Sequence, residues 1–167
     1  MVDTLKFDRP QLEVYRDAKV WLVEQRWAAT VTKDSTGEEF QFDVTMVTKA
    51  RLNPIIRTSY SDFVMFNGKI TLKDNLLIIR FDNIQFGETT TGFGSKAVTQ
   101  PLAQKIYKLE KEKRARAKIE NDLTMDKKLK KKELANHDNT IKDIEDSLNE
   151  VDEELRLKLQ LLQKEIE

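Results

Sequence analysis

The sequence contains no cysteine, and this absence excludes several kinds of chemistry at once. Disulfide bonds, thiolate nucleophiles and zinc–thiolate sites all require that residue. The 167-residue chain also lacks any apolar run near the roughly 18 residues that a membrane-spanning helix needs. Residues 1–10 show no signal-peptide pattern, so we expect a cytoplasmic protein, or an envelope protein if a targeting segment has been removed.

The chain also lacks a surplus of charge of either sign, because 29 basic residues balance 29 acidic ones. A dedicated nucleic-acid binder usually has a basic surplus, since neutralising phosphates supplies much of its affinity. The balance argues against that role, and a local basic patch is the remaining way in which the chain would bind nucleic acid. Hydrophobic residues make up 39% and charged residues 35%, a mixture typical of a compact domain joined to a solvated helical segment.

The first part of the chain, residues 1–87, has the pattern of a small α+β domain. We predict a helix over about residues 9–24, with Asp8 as N-cap, Gln11 completing a capping box, and a hydrophobic staple between Phe7 and Leu12. Its apolar stripe consists of Val14, Ala18, Trp21 and Leu22.

A five-stranded antiparallel meander is predicted to follow this helix, at about 27–31, 39–46, 60–66, 69–73 and 76–86. Asn67-Gly68 and Asp74-Asn75 are the predicted hairpin turns, because such pairs accept positive φ. Strict alternation in the second strand indicates one dry face and one wet face. The predicted core aromatics are Trp21, Phe40, Phe42, Phe63, Phe66 and Phe81.

Residues 88–100 are polar and rich in glycine and threonine, which favours a linker. Within it, Gly92–Lys96 lacks the spacing of a phosphate-binding loop. Phe93 stays a candidate for contact with a peptide or a nucleotide.

Residues 101–167 are predicted to be helical, with Pro101 in the first turn. Their charge falls into two blocks: 12 basic and 6 acidic residues over 101–135, then 4 basic and 10 acidic over 136–167. Asn136–Asn139 has the composition of a turn, which predicts a helical hairpin or coiled coil, the alternative being one unbroken helix. His137 is then a solvated turn residue, with no second histidine to share a metal.

Two groups in this region are candidates for partner binding. The basic run can grip an anionic partner or pair with the acidic block, and consists of Lys127, Lys128, Lys130, Lys131 and Lys132. The apolar edge of the second helix suits a helical partner or self-association, and includes Leu155, Leu159 and Leu162.

The segments 17–22 and 70–81, which read DAKVWL and ITLKDNLLIIRF, resemble a bacterial family of unknown function with a fold like that of the TATA-box-binding protein. The resemblance covers about residues 8–90, with Asn75 where that family has glycine and Ile79 where it has tyrosine. It implies a curved antiparallel sheet with a helix against it, and no catalytic residue.

We therefore expect a non-catalytic interaction or scaffold module, without metal or cofactor, that binds a protein partner or itself through the helical arm. A nucleic-acid-associated protein using 127–132 is the alternative. An enzyme with a carboxylate or threonine site is a third hypothesis, disfavoured because no nucleophile–base pair is visible.

Overall fold

The structure, a computed structural model, describes residues 1–25, 27–53, 58–91 and 96–166 of the chain. The fold belongs to the α+β class, as predicted. The chain forms two compact units. The first, which we call the sheet unit, comprises Met1–Pro101 together with Glu154–Glu167, and the second, the hairpin unit, comprises Leu102–Glu153.

The sheet unit is built from one helix and one antiparallel sheet, and the chain then continues into two long helices. The elements are β1 (Val2–Lys6), α1 (Gln11–Glu24), β2 (Ala28–Ser35), β3 (Glu39–Asn53), β4 (Thr58–Lys73), β5 (Leu76–Thr91), β6 (Lys96–Pro101), α2 (Leu102–Asn121) and α3 (Lys127–Ile166). The strand order is β1-β5-β4-β3-β2, and β6 also pairs with β5. The antiparallel meander order is as predicted, but the predicted third and fourth strands are the single strand β4, so the meander β2 to β5 has four strands. Strands β1 and β6 are additional.

The predicted dry face of β3 is confirmed, because its alternate apolar side chains are all buried: Phe40, Phe42, Val44 and Met46. Edge-to-face aromatic contacts link helix and sheet, with ring centroids 5.2–5.8 Å apart along the series Trp21, Trp27, Phe66 and Phe81. Phe63 is an exception to the predicted core. It lies half-exposed on the opposite face, where its ring covers Gly87.

The predicted hairpin turn at Asn67-Gly68 is wrong, because both residues lie inside the continuous strand β4. Gly68 is the direct cross-strand partner of Phe42, and a Cβ atom at position 68 would lie 2.2 Å from that ring. Glycine is thus required here by close approach of an aromatic ring. The other predicted turn is confirmed, since Asp74 and Asn75 join β4 to β5 with φ of 52° and 60°.

Helix α1 begins two residues later than predicted, and no side chain caps it. Pro10 occupies the N-cap position, and the Gln11 side-chain amide instead donates a 2.6 Å hydrogen bond to the carbonyl of Gly37. The predicted capping role of Asp8 is therefore wrong. Leu12 is 44% exposed, so the hydrophobic staple is also absent at that position.

The predicted linker over 88–100 is wrong in its described part. Residues 88–91 continue β5, and residues 96–100 form most of β6, which pairs with β5 from Thr90↔Lys96 to Gln85↔Pro101. Threonine favours strands because it is β-branched, which offsets the polar composition. Pro101 ends β6 and does not begin the helix. The predicted loop at Asn53-Pro54 extends into 54–57, outside the described residues.

The helical region is a hairpin, but its turn is not where the sequence predicted it. Residues 122–126 separate α2 from α3, and residues 136–139 lie inside α3. Asp126 caps α3, because its Oδ1 accepts 3.0 Å hydrogen bonds from the N–H groups of Lys128 and Leu129. His137 is consequently a helical residue rather than a turn residue.

Candidate interaction surface

Helix α2 and the first part of α3 are joined by polar pairs along the hairpin unit. Lys105 Nζ donates to Ser147 Oγ at 2.7 Å. Further along, Lys113 pairs with Glu145 at 2.8 Å, and Arg116 pairs with Asp138 at 2.5 Å. The predicted pairing of the basic α2 with acidic residues of the following helix is thus present.

These ion pairs shift the titration of their basic members. The hydrogen bond to Glu145 raises the pKa of Lys113, and the hydrogen bond to Asp138 raises the pKa of Arg116. Both groups are charged at neutral pH in any case, so the shifts mark favourable contacts and not reactive groups. Such exposed pairs contribute more to register than to stability.

His137 lies in the row of α3 that faces α2, since residues 137, 144 and 151 recur at intervals of seven. Ile144 and Val151 are buried, whereas His137 Nδ1 lies 2.7 Å from a carboxylate oxygen of Glu112, with both side chains about one-fifth exposed. A polar pair therefore occupies a position where the neighbouring turns place apolar side chains.

A second row on α3 runs beside the first, and we call it the α3 flank. Its members recur at alternating intervals of four and three, so they line one side of the helix: Lys127, Lys131, Leu134, Asp138, Ile141, Glu145, Leu148 and Asp152. Leu134, Ile141 and Leu148 are only half-buried. On α2, Ile106 lies seven residues before Lys113, the ion-pair partner of Glu145, and is 45% exposed.

The predicted basic run occupies the first two turns of α3, at the positive end of the helix dipole. Lysine is unfavourable there by about 0.3–1 kcal/mol per residue at low ionic strength. Lys130 donates a 2.9 Å hydrogen bond to the carbonyl of Asp122. The other four lysines of the run are exposed, and none of them belongs to an ion pair that the structure shows within residues 96–166. Pairing of the run with the acidic block of the same chain is therefore not seen there.

The predicted partner-binding residues Leu155, Leu159 and Leu162 are not available to a partner, and that prediction is wrong. They are 1%, 6% and 0% exposed, because the last turns of α3 belong to the core of the sheet unit. This end of α3 is antiparallel to α1. Trp21 Nε1 donates to the carbonyl of Lys158 at 3.1 Å, and Arg9 donates to the carbonyl of Glu165 at 3.0 Å. Phe93, the remaining candidate, lies outside the described residues.

A cleft of about 330 Å³ lies in the sheet unit, beside the edge strand β1 and the end of α3. It is lined by Met1, Val2, Asp3, Leu5, Arg156, Leu159, Gln160 and Gln163. The backbone N–H of Thr4 is occupied by the Asp3 carboxylate at 2.8 Å. This contact blocks one of the donors that an added strand would need, so the edge is partly protected against strand addition.

A compact polar cluster ties α1 to β2. Tyr15 and Lys19 both donate to the carboxylate of Asp34, the lysine at 2.5 Å. Burial, followed by the hydrogen bond to Asp34, raises the pKa of Tyr15, while the hydrogen bond from Lys19 lowers the pKa of Asp34. Each shift favours the protonation state already present at neutral pH, so the cluster stabilises the contact between α1 and β2 and contains no activated group.

The part of the chain that the structure describes contains no group of three or more His, Asp or Glu side chains arranged to hold a metal ion. Among those residues, no helix combines the length and apolar character required to cross a lipid bilayer.

Comparison with known proteins gives two structural likenesses. No family model and no curated protein matches the sequence. A TBP-like protein from Parabacteroides distasonis ATCC 8503 is similar with a TM-score of 0.39 and 14% identity, over 59% of this chain and 63% of that one. A DUF4468 family protein from Bacteroides ovatus ATCC 8483 is similar with a TM-score of 0.36 and 12% identity, over 59% of each chain.

The chain thus spans about three fifths of the length of each of these proteins. One of them is described as TBP-like and the other as a member of the DUF4468 family. The likeness concerns the fold and carries no activity or partner to this chain.

Proposed function

We propose that this protein is a non-catalytic interaction module whose helical hairpin is the binding element. The observation that carries the proposal is the incomplete cover of apolar side chains along one side of the hairpin unit. Leu134 and Ile141 are half-buried on the α3 flank, and Ile106 is 45% exposed on α2. Two helices alone cannot enclose such a row, whereas a third or fourth helix can.

The charged groups around these side chains favour a specific contact over non-specific hydrophobic association. The pairs Lys113–Glu145 and Arg116–Asp138 border the apolar positions, which resembles the polar rim around the apolar centre of a protein–protein interface. A helical partner would bury the apolar centre and leave the ion pairs at the edge.

A photo-crosslinking amino acid at position 106 tests the proposal in cells that produce the full chain. We expect a covalent adduct with a partner from position 106 and a much weaker one from position 107, because Tyr107 is 69% exposed but points about 100° away from Ile106 around α2. The adduct should disappear with Ile141→Asp, with helical content checked by circular dichroism. Adducts of equal yield from the two positions, or no adduct from position 106, would contradict the proposal.

The four exposed lysines at the start of α3 favour one second candidate, a contact with nucleic acid. Positive side chains at the positive end of the helix dipole raise the free energy of the folded chain, and a bound anion such as phosphate would offset that cost. Titration of the full chain with a labelled oligonucleotide at low salt tests this candidate. Binding should fall when Lys128 and Lys132 are changed to glutamate, and absence of binding at low salt removes the candidate.

A further inference from the structure

We propose that the end of the hairpin unit docks on an anionic lipid surface, with Leu123 entering the interface and the neighbouring lysines lying over the lipid headgroups. We call residues 121–132 the hairpin tip, which comprises the last residue of α2, the turn and the start of α3. This contact uses other residues than the apolar side of the hairpin unit, so it adds a second binding surface to the proposed function. It is an interfacial contact and not a membrane-spanning one.

Leu123 is the most exposed of the large apolar side chains in the part of the chain that the structure describes, at 95%. The turn holds it in that position, because the Asp122 carboxylate accepts hydrogen bonds from both the N–H and the hydroxyl of Thr124, at 2.8 and 2.7 Å. Leu129, on the first turn of α3, is also 49% exposed. Exposed leucines are unfavourable in water, and entry into a lipid interface would remove their apolar surface from it.

Positive charge surrounds these leucines. The hairpin tip contains five lysines and two aspartates, a net charge of +3. The adjoining residues 116–120 and 133 add two basic and two acidic side chains, which leaves that net charge unchanged. Both aspartates of the tip accept hydrogen bonds from backbone N–H groups of the tip itself. Lys130 donates a 2.9 Å hydrogen bond to the carbonyl of Asp122, which keeps its charge beside the turn, and the other four lysines are exposed.

The type and the spread of the basic residues favour a lipid surface over a single acidic group. All five are lysines, and lysine lacks the planar fork with which arginine binds one carboxylate or phosphate. At about 100° per residue, the lysines of 127–132 span roughly 200° around α3, so a small acidic site on one side would not meet them all. They also lie within about 9 Å of Asp126 along the helix, close to the screening length of about 8–10 Å at physiological salt.

The apolar residues of the tip favour lipid over nucleic acid. Proteins that bind single-stranded nucleic acid place aromatic side chains against the bases, and residues 121–132 contain no aromatic residue. Contacts to the phosphates of a duplex would use the lysines alone and would leave Leu123 in water. A lipid surface accommodates the charges and the leucines together.

Co-sedimentation of the purified full chain with vesicles tests the proposal. Vesicles of phosphatidylcholine with roughly 30% phosphatidylserine should bind the chain at low salt, because each lysine near an anionic surface strengthens binding about fivefold. Vesicles of phosphatidylcholine alone should bind it much more weakly, and binding to the mixed vesicles should fall as the salt concentration rises. Equal binding to the two kinds of vesicle, or no binding to the mixed vesicles at low salt, would overturn the proposal.

Leu123→Ser tests the apolar part of the contact, with Val23→Ser as the matched control. Val23 is 80% exposed on α1, outside the hairpin unit, so the control also removes an exposed apolar side chain. Leu123→Ser should lower the partition coefficient onto the mixed vesicles by roughly tenfold, and Val23→Ser should leave it nearly unchanged. Circular dichroism should show both variants folded, because both side chains lie in water. Equal effects of the two changes would contradict entry of Leu123 into the interface.

Neutralising two lysines tests where the charge acts. Lys128→Gln with Lys132→Gln should lower the partition coefficient by roughly tenfold or more. Lys108→Gln with Lys111→Gln makes the same change of net charge at exposed positions of α2, about 15–20 Å of helix from the turn, and should have a much smaller effect. Equal effects of the two pairs would show that net charge matters and the hairpin tip does not.

A labelled oligonucleotide separates the lipid contact from a contact with nucleic acid. If the chain binds the oligonucleotide at low salt and does not bind the mixed vesicles, the lysines serve nucleic acid and the lipid proposal is wrong. If the chain binds the mixed vesicles and Leu123→Ser weakens that binding alone, the lipid proposal stands. Crosslinking from position 106 reports on the other surface, so failure there would leave the lipid contact unaffected.

Discussion

Replacing Gly68 with alanine should destabilise the sheet unit by about 1–3 kcal/mol, the range for an overpacked core. The added Cβ would lie 2.2 Å from Cε2 and Cζ of Phe42. Carbon atoms are best separated by about 3.5–4.0 Å, so the ring must shift by more than about 1 Å. It has little room to do so, since Phe42 is 0% exposed and its ring centroid lies 5.9 Å from that of Phe40, which is also 0% exposed.

Urea unfolding followed by tryptophan fluorescence measures this effect, because Trp21 and Trp27 both lie in the sheet unit. The midpoint should fall with an unchanged slope. Gly87→Ala is the matched control. Its Cβ would lie equally close, 2.2 Å, to the ring of Phe63, but that ring is half-exposed and can turn toward solvent. Equal losses at the two positions, or no loss at Gly68, would refute the reasoning.

Three further predictions concern packing and charge. Leu162→Ala should cost about 2–5 kcal/mol, and Leu161→Ala under about 1 kcal/mol, in the same urea assay, because their side chains are 0% and 39% exposed; equal costs would contradict the burial of this row. The double change His137→Leu and Glu112→Leu should raise the thermal midpoint of the hairpin helices in circular dichroism, because apolar side chains replace both members of a half-buried polar pair; a lower midpoint would show that the pair stabilises the hairpin. Asp34→Asn should lower stability above about pH 4 and weaken its acid dependence. The hydrogen bond from Lys19 lowers the Asp34 pKa, so the native carboxylate stabilises the fold above the unfolded-state pKa and loses that contribution as the pH falls through the folded-state pKa; an unchanged pH profile would contradict it.

Local patterns in the sequence predicted the elements whose causes are local. The dry face of β3 follows from alternation within seven residues, and the Asp74-Asn75 turn from two residues that tolerate positive φ. Gly68 was misread because its cause lies on the neighbouring strand, where Phe42 needs the space. Strands β1 and β6 were missed for a similar reason. Both exist through pairing with β5, which sequence periodicity does not reveal.

The position of the hairpin turn decided how much of the candidate surface could be predicted. Residues 122–126 and 136–139 both contain turn and cap residues, and the change of charge at 136 favoured the wrong one. That choice placed Leu134 and Ile141 on different helices, so the α3 flank could not be recognised. The apolar row of Leu155, Leu159 and Leu162 was recognised, but its cover comes from the sheet unit, which no helical spacing indicates.

The central claim is that a partner covers the apolar side of the hairpin unit, which is formed by Leu134 and Ile141 on α3 and Ile106 on α2. Photo-crosslinking from position 106 of the full chain tests it most directly, with Ile141→Asp and Asn139→Asp as a matched pair. The expected result is an adduct from position 106 that is lost with Ile141→Asp and kept with Asn139→Asp. No adduct from position 106, or equal loss in the two variants, would contradict the claim.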